Sequence, residues 1–194
     1  MNALLNWMKD DLAEVLSEEN ESHLELLIKK VDKMDELIKG ILDYASIDNV
    51  KNSSNKIDLN LLVEDILETI FIPEKIDVSI QNLLPTVVGD KFRLQQLFQN
   101  LLSNAVKYSD KQRGKIGLRF FDIEHSWRFE IYDNGAGIEK RYFKKIFQIF
   151  QVLEEKENST GVGLSIVKKI IDFYNGKIWV ESEKNVGTTF YFTL

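Results

Sequence analysis

The chain has 194 residues, enough for one large domain or one ordinary domain with an appendage. Hydrophobic residues make up 44% and charged residues 29%, which excludes a disordered chain. Asp and Glu number 31 against 25 Lys and Arg, and the net charge of -6 gives no general attraction for nucleic acid or anionic lipid. Cysteine is absent, so disulfides, thiolate zinc sites and cysteine nucleophiles are excluded and the compartment leans to the cytoplasm. Two histidines do not make a His-rich metal site. No apolar stretch approaches the ~18–20 residues that span a bilayer. No apolar signal-peptide core follows Met1-Asn2-Ala3.

Taken in chain order, Leu5, Met8, Leu12 and Val15 share one helical face. The polar run Ser17-Glu18-Glu19-Asn20 breaks that pattern. Leu24, Leu27, Ile28, Val31, Met34, Ile38, Ile41 and Leu42 then form a second amphipathic stripe. The spacing predicts two antiparallel helices over residues 1–49, whose stripes need another copy or the rest of the chain as partner. Residues 50–56, with the apolar-free run Lys51 to Lys56, read as a linker. From Ile57 the composition changes. Leu61 to Ile70 predicts a helix, and Ile76 to Ile80 alternates as a strand. Lys91 to Tyr108 is a strongly periodic helix. Lys115 to Phe121 and Trp127 to Tyr132 predict strands, and Ser165 to Tyr174 a helix. Lys177 to Ser182 and Thr188 to Leu194 predict a closing strand pair around Asn185-Val186-Gly187. Helices and strands mix without regular alternation. The expected architecture is α/β, one mixed sheet with helices on one face.

Four segments concentrate residues able to carry chemistry. Asn100 and Asn104 lie one turn apart on a helix face that Lys107 nearly shares. They are either solvent-facing polar residues or a hard-cation and phosphate site. Amide oxygens suit Mg²⁺, which also takes substrate phosphates, and Lys107 supplies a point charge. Asp133-Asn134-Gly135-Ala136-Gly137-Ile138 follows a strand. It is either a tight turn or a place where Gly135 and Gly137 let backbone approach a flat ligand. In the second case Asp133 accepts a hydrogen bond from an exocyclic amine, worth about 1.5–3 kcal/mol. Ser159-Thr160-Gly161-Val162-Gly163-Leu164 opens a helix, as a hinge or as a phosphate cradle at unpaired amides. It is neither a Rossmann nor a P-loop motif, because the third glycine and the Gly-Lys-Ser/Thr run are missing. Asn185-Val-Gly187-Thr188-Thr189-Phe190 reads as a hairpin turn. Phe143, Phe147 and Phe150 have core spacing, and with the polar run Glu154 to Asn158 they are placed to anchor a lid.

The order of these pieces is the informative feature. An Asn-x-x-x-Asn-x-x-Lys-Tyr helix, a strand ending Asp-x-Gly-x-Gly-Ile, a Phe-rich segment, a short polar loop, Thr-Gly-x-Gly-Leu and Gly-Thr-Thr-Phe occur in sequence. From Ile57 to Leu194 the chain resembles the catalytic and ATP-binding domain of sensor histidine kinases. These belong to the superfamily that includes gyrase, heat-shock chaperone and mismatch-repair ATPases. Leu37 to Ser46 resembles the end of the dimerisation and phosphotransfer hairpin of the same kinases. The resemblance implies a Bergerat-type α/β sandwich preceded by a helical hairpin, with ATP and Mg²⁺ as ligands. It implies Asn104 and Asn100 at the metal, Lys107 at phosphate and Tyr108 near the adenine. Asp133 would accept from the adenine amine, with Gly135, Gly137 and Ile138 beside the base. Thr160, Gly161, Val162, Gly163 and Leu164 would border the triphosphate. Thr188 would join the cofactor site, and Phe147 and Phe150 would support the lid. It also implies a homodimer through the N-terminal helices, a response-regulator receiver domain as partner, and a bacterial, cytoplasmic setting.

Three departures from the family pattern stand out. Ser159 occupies a place where many relatives have Gly. Gln151-Val152 follows Phe150 where many have an Arg aimed at the γ-phosphate; Lys144, Lys145 and Lys156 are the candidate substitutes. Neither His23 nor His125 is followed by the acidic residue and downstream Pro of the phosphoacceptor. The chain therefore reads as a truncated kinase that binds ATP without phosphorylating itself. The competing readings are a nucleotide-gated scaffold that docks a response regulator, and a serine kinase of the same superfamily. The N-terminal helix pair argues against the latter.

Overall fold

The computed structural model describes residues 7, 17–47, 55–123, 126–153 and 160–194. Leu5, Met8, Leu12 and Val15 of the expected first helix lie outside the described residues. So do His125, the run Glu154 to Asn158 and Ser159. The elements are α1 (Glu18–Ser46), β1 (Asn55–Asp58), α2 (Leu59–Thr69), β2 (Ile76–Ile80), β3 (Thr86–Gly89) and α3 (Lys91–Lys107). They continue with β4 (Gly114–Ile123), β5 (Ser126–Asp133), a 3₁₀ turn at Lys140–Tyr142, α4 (Gly163–Phe173), β6 (Ile178–Glu183) and β7 (Gly187–Thr193).

Helix starts follow capping chemistry. Ser17, in the polar break, accepts from the Asn20 amide at 3.4 Å and starts α1. Asp58 caps α2 through the Asn60 amide at 2.8 Å, and Asp90 caps α3 through the Arg93 amide at 2.9 Å. Two strands were not foreseen. β1 pairs antiparallel with β3, Ile57 opposite Val87, so Asn55 and Lys56 belong to a strand rather than to the linker. Four-residue strands are too short to show alternation, and each exists because its distant partner supplies the ladder.

The main sheet has the order β2-β4-β5-β7-β6. β2 runs parallel to β4, and the remaining pairs are antiparallel. Alternation sends Phe129 and Ile131 of β5 and Phe190 and Phe192 of β7 inward, toward the helices. Phe98 of α3 meets Phe129 and Phe192 edge-on, each at 5.7 Å, and those two rings stack at 5.0 Å. Burying each such ring is worth roughly 1.5–3 kcal/mol. Leu62, Val63 and Ile66 of α2 and Val167, Ile170 and Ile171 of α4 complete this core. The outer face of the sheet carries charge instead. Buried Glu130 pairs with Arg119 at 2.6 Å and Arg128 at 3.3 Å, as a buried carboxylate requires.

The end of α1 is fastened to this body. The Arg93 guanidinium, buried and 3.9 Å from the Phe173 ring centre, donates to the Ile47 carbonyl at 2.6 Å. A cation suits the negative end of a helix. Lys169 of α4 donates to the Tyr44 carbonyl at 2.8 Å. No helix among the described residues is long and apolar enough to cross a membrane.

Candidate functional site

A cavity of about 440 Å³ opens between α3, α4 and the ends of β5 and β7. That is a small-ligand volume. At its sheet end stands Asp133, the last residue of β5, paired in register with Thr188 of β7. The Gly135 amide donates to Asp133 Oδ1 at 2.8 Å. Burial pushes the Asp133 carboxyl up from 3.8 to about 6, against the pull of the Gly135 and Thr188 amides, with Asp110 adding to the rise. The turn after Asp133 is held by hydrogen bonds on both sides. Asn134 accepts from the Lys115 amide at 2.7 Å and donates to the Arg113 carbonyl at 3.0 Å. Ser182 of β6 accepts from the Ile138 amide at 2.7 Å, donates to the Gly187 carbonyl at 2.8 Å and lies 2.9 Å from the Thr188 hydroxyl. Gly137 has φ 70, and a Cβ there would fall 2.0 Å from the Glu183 carbonyl oxygen. Only glycine fits that position.

Asn100, Asn104, Lys107 and Tyr108 enter the wall from α3. Asn100 donates from Nδ2 to the Gln96 carbonyl at 2.7 Å. Its Oδ1 would lie 2.6 Å from a Cβ built on Gly163. Gly163 is therefore what lets α4 approach α3. At this end α4 starts without a side-chain cap, from Val162. Its first amides lack a side-chain acceptor, the condition that suits an anion. Thr160, Gly161, Gly163 and Leu164 all face the cavity. Gly161 has φ 71, and its carbonyl accepts from the Phe150 amide at 2.9 Å.

Asp133, Gly137, Ile138 and Thr188 thus meet the α3 and α4 residues in one wall. Three expected residues stand outside it. Gly135 sits behind the wall, where a Cβ would fall 2.3 Å from the Tyr108 carbonyl oxygen. Val162 is buried away from the cavity, and Phe150 is half exposed with φ 65. Phe147 is partly buried and sits edge-on to Phe190, which is in the wall. Sequence reasoning missed Ser103, Glu139, Tyr142 and Lys184, and did not place Gln151 in the wall. Lys184 donates to Glu139 at 2.9 Å, and that bond holds the Glu139 carboxyl below its usual value. Lys184 directly follows β6, so a strand end beside the turn Asn185-Val186-Gly187 was the available signal. Lys107 and Lys184 are the wall's cations among the described residues, and the neutral Gln151 stands in the same wall. Lys144 and Lys145 are exposed and outside it, and Lys156 lies outside the described residues.

Residues 89–194, more than half of the chain, match the family described as histidine kinase-, DNA gyrase B- and HSP90-like ATPase. The chain belongs to this ATPase family. Cyanobacterial phytochrome B of a Nostoc species is 36% identical over 97% of this chain and 26% of that protein. The first curated relatives share this proportion: the chain spans about a quarter of their length. Full-length ShkA, solved with AMPPNP, superposes at TM-score 0.73 with 26% identity, over 99% of this chain and 42% of that one. The catalytic domain of the histidine kinase ThkA superposes at 0.61 with 29% identity, over 73% of this chain and 95% of that one. The cavity-bearing body is thus an ATP-binding catalytic domain of the sensor histidine kinase type, and α1 is a helix preceding it.

Proposed function

We propose that this chain binds Mg-ATP in the cavity between α3 and α4, adenine at Asp133 and phosphates at the start of α4. The observation that carries the reading is the convergence on one wall of Asn104, Asp133 and an α4 start without a side-chain cap. Asp133 would accept from the adenine amine while Gly137 and Ile138 border the base. Lys107 and the amides of Gly163 and Leu164 would meet phosphate. The donor set suits Mg²⁺. Asn100 and Asn104 offer amide oxygens, and the substrate phosphates would supply the anionic ligands. When bound, Mg²⁺ would neutralise charge on the transferring phosphoryl group.

The whole protein would transfer the γ-phosphoryl of ATP to a histidine and then to an aspartate of a response regulator. ThkA, of the same fold, was solved in complex with the response regulator protein TrrA. Residues 1–49 would form a partial dimerisation and phosphotransfer hairpin that lacks the acceptor histidine, joined through residues 50–54 to an ATP domain that opens with β1. Neither His23 nor His125 has acceptor context, so this chain binds ATP without phosphorylating itself. α1 exposes Leu27, Met34, Ile38 and Leu42, an apolar face that suits a homodimer. Light scattering should give twice the chain mass at micromolar concentration; a monomer mass would end that part of the reading.

The deciding experiment is calorimetric titration of Mg-ATP into the protein and into Asp133→Asn. Saturable, metal-dependent binding that weakens at least about tenfold in the variant supports the assignment. The alternative, a scaffold that docks a response regulator without catalysis, draws on the neutral Gln151 in the wall. Wild-type protein that captures a receiver domain yet binds no ATP would favour it.

A further inference from the structure

Leu37, Gly40, Tyr44 and Ile47 recur at intervals of three and four, so they share one face of α1. That face is not the exposed stripe of Met34, Ile38, Ile41 and Leu42. It is turned to the ATP domain. Leu37 and Tyr44 pack on the core, Tyr44 and Ile47 give carbonyls to Lys169 and Arg93, and Gly40 lies against Val162. A Cβ on Gly40 would begin 3.1 Å from Val162 Cγ1 and 3.2 Å from its Cβ. Glycine within a helix is less stable than alanine, and one reason to place it there is close approach of a neighbour. Here the approach is to a residue only 1% exposed, set between Gly161 and Gly163 of the cavity wall. Val162 therefore has α1 on its outer side while its two neighbours line the ligand cavity.

We infer that α1 and the nucleotide site are energetically coupled through the contact of Gly40 with Val162. Seating of α1 holds Thr160–Leu164 in the pose that lines the cavity, and occupancy of the cavity in turn holds α1 seated. Such coupling is reciprocal by linkage. The two-state element is the docking of the Leu37–Ile47 face. The inference rests on the nucleotide reading of the cavity, which names the ligand, whereas the contact itself does not depend on that reading.

The test uses the whole chain, Gly40→Leu, and Lys39→Leu as a control that places leucine at an adjacent exposed position. Gly40→Leu should weaken Mg-ATP binding by about fivefold or more, and Lys39→Leu should leave it unchanged. Hydrogen exchange supplies the reverse direction. Mg-ATP should slow exchange at amides 40–47 of the wild type, and Gly40→Leu without nucleotide should speed exchange at amides 160–164. Should Gly40→Leu fail to fold, Lys169→Met removes the Tyr44 anchor without added bulk and should weaken binding in the same direction. Wild-type affinity in folded Gly40→Leu, with unchanged exchange at 160–164, overturns the coupling and leaves the nucleotide reading standing. Absence of Mg-ATP binding by the wild type strikes the nucleotide reading instead; faster exchange at 160–164 in Gly40→Leu would then still uphold the contact.

Discussion

The two ends of the cavity are built by different physics. The sheet end is a hydrogen-bonded frame: Asp133 closes its own turn, and Asn134 and Ser182 tie that turn to neighbouring strands. The α4 end has few such ties. Gly163 meets Asn100 and Val162 meets Gly40 by close steric approach, and Gly161 is tied to Phe150 by one backbone hydrogen bond. A hydrogen-bonded frame sets position by direction and tolerates little rotation. A steric contact sets position only while both bodies stay pressed together. The sheet end is thus a fixed reference for one part of a ligand, and the α4 end answers to the placement of helices.

The comparison can be broken in four ways, from the largest expected effect to the smallest. Asp133 is raised in the folded state, so its contribution to stability is present below pH 3.8 and is lost as pH rises through about 6. Asp133→Asn should therefore be more stable than the wild type at pH 7, by up to about 3 kcal/mol, with the gain vanishing near pH 4. Urea unfolding at both pH values measures this. A gain independent of pH would remove the buried carboxylate as its cause. Ser182→Ala deletes the hub shared by Ile138, Gly187 and Thr188, and should cost about 1–3 kcal/mol in thermal unfolding. A neutral result would show that the sheet end does not depend on that frame.

Gly163→Ala forces a Cβ toward Asn100 and should cost about 1–2 kcal/mol of stability. Its larger mark should be on Mg-ATP affinity in calorimetry. Equal affinity would deny the α4 end its steric character. Lys144→Ala and Lys145→Ala should change Mg-ATP binding least, because both side chains lie outside the cavity wall. A clear loss in either would return that lysine to the ligand site.

The long periodic helices were legible because each carries its own evidence. Lys91 to Tyr108 was expected as a helix, and α3 covers Lys91–Lys107. The motifs around Asn104, Asp133 and Gly161 were also legible, because turns and glycines mark backbone demands locally. β1 and β3 were not, since a four-residue strand has no period of its own. Lys184 was passed over because it looks like an ordinary polar residue until the cavity closes around it, and Gln151 was noted only for the charge it lacks. Val162 misled in the opposite sense. It sits inside the glycine motif, yet its side chain points away from the site toward α1.

The sequence by itself determined the types of the longer elements, the α/β class and the order of the glycine and asparagine motifs. Those depend on periodicity, capping and turn chemistry, which act within a few residues. Tertiary structure alone decided which face of α1 meets the ATP domain, which cations reach the cavity, and how closely Gly40 and Gly163 approach Val162 and Asn100. Each of these is a distance between residues far apart in the chain, and such distances exist only after the helices have packed.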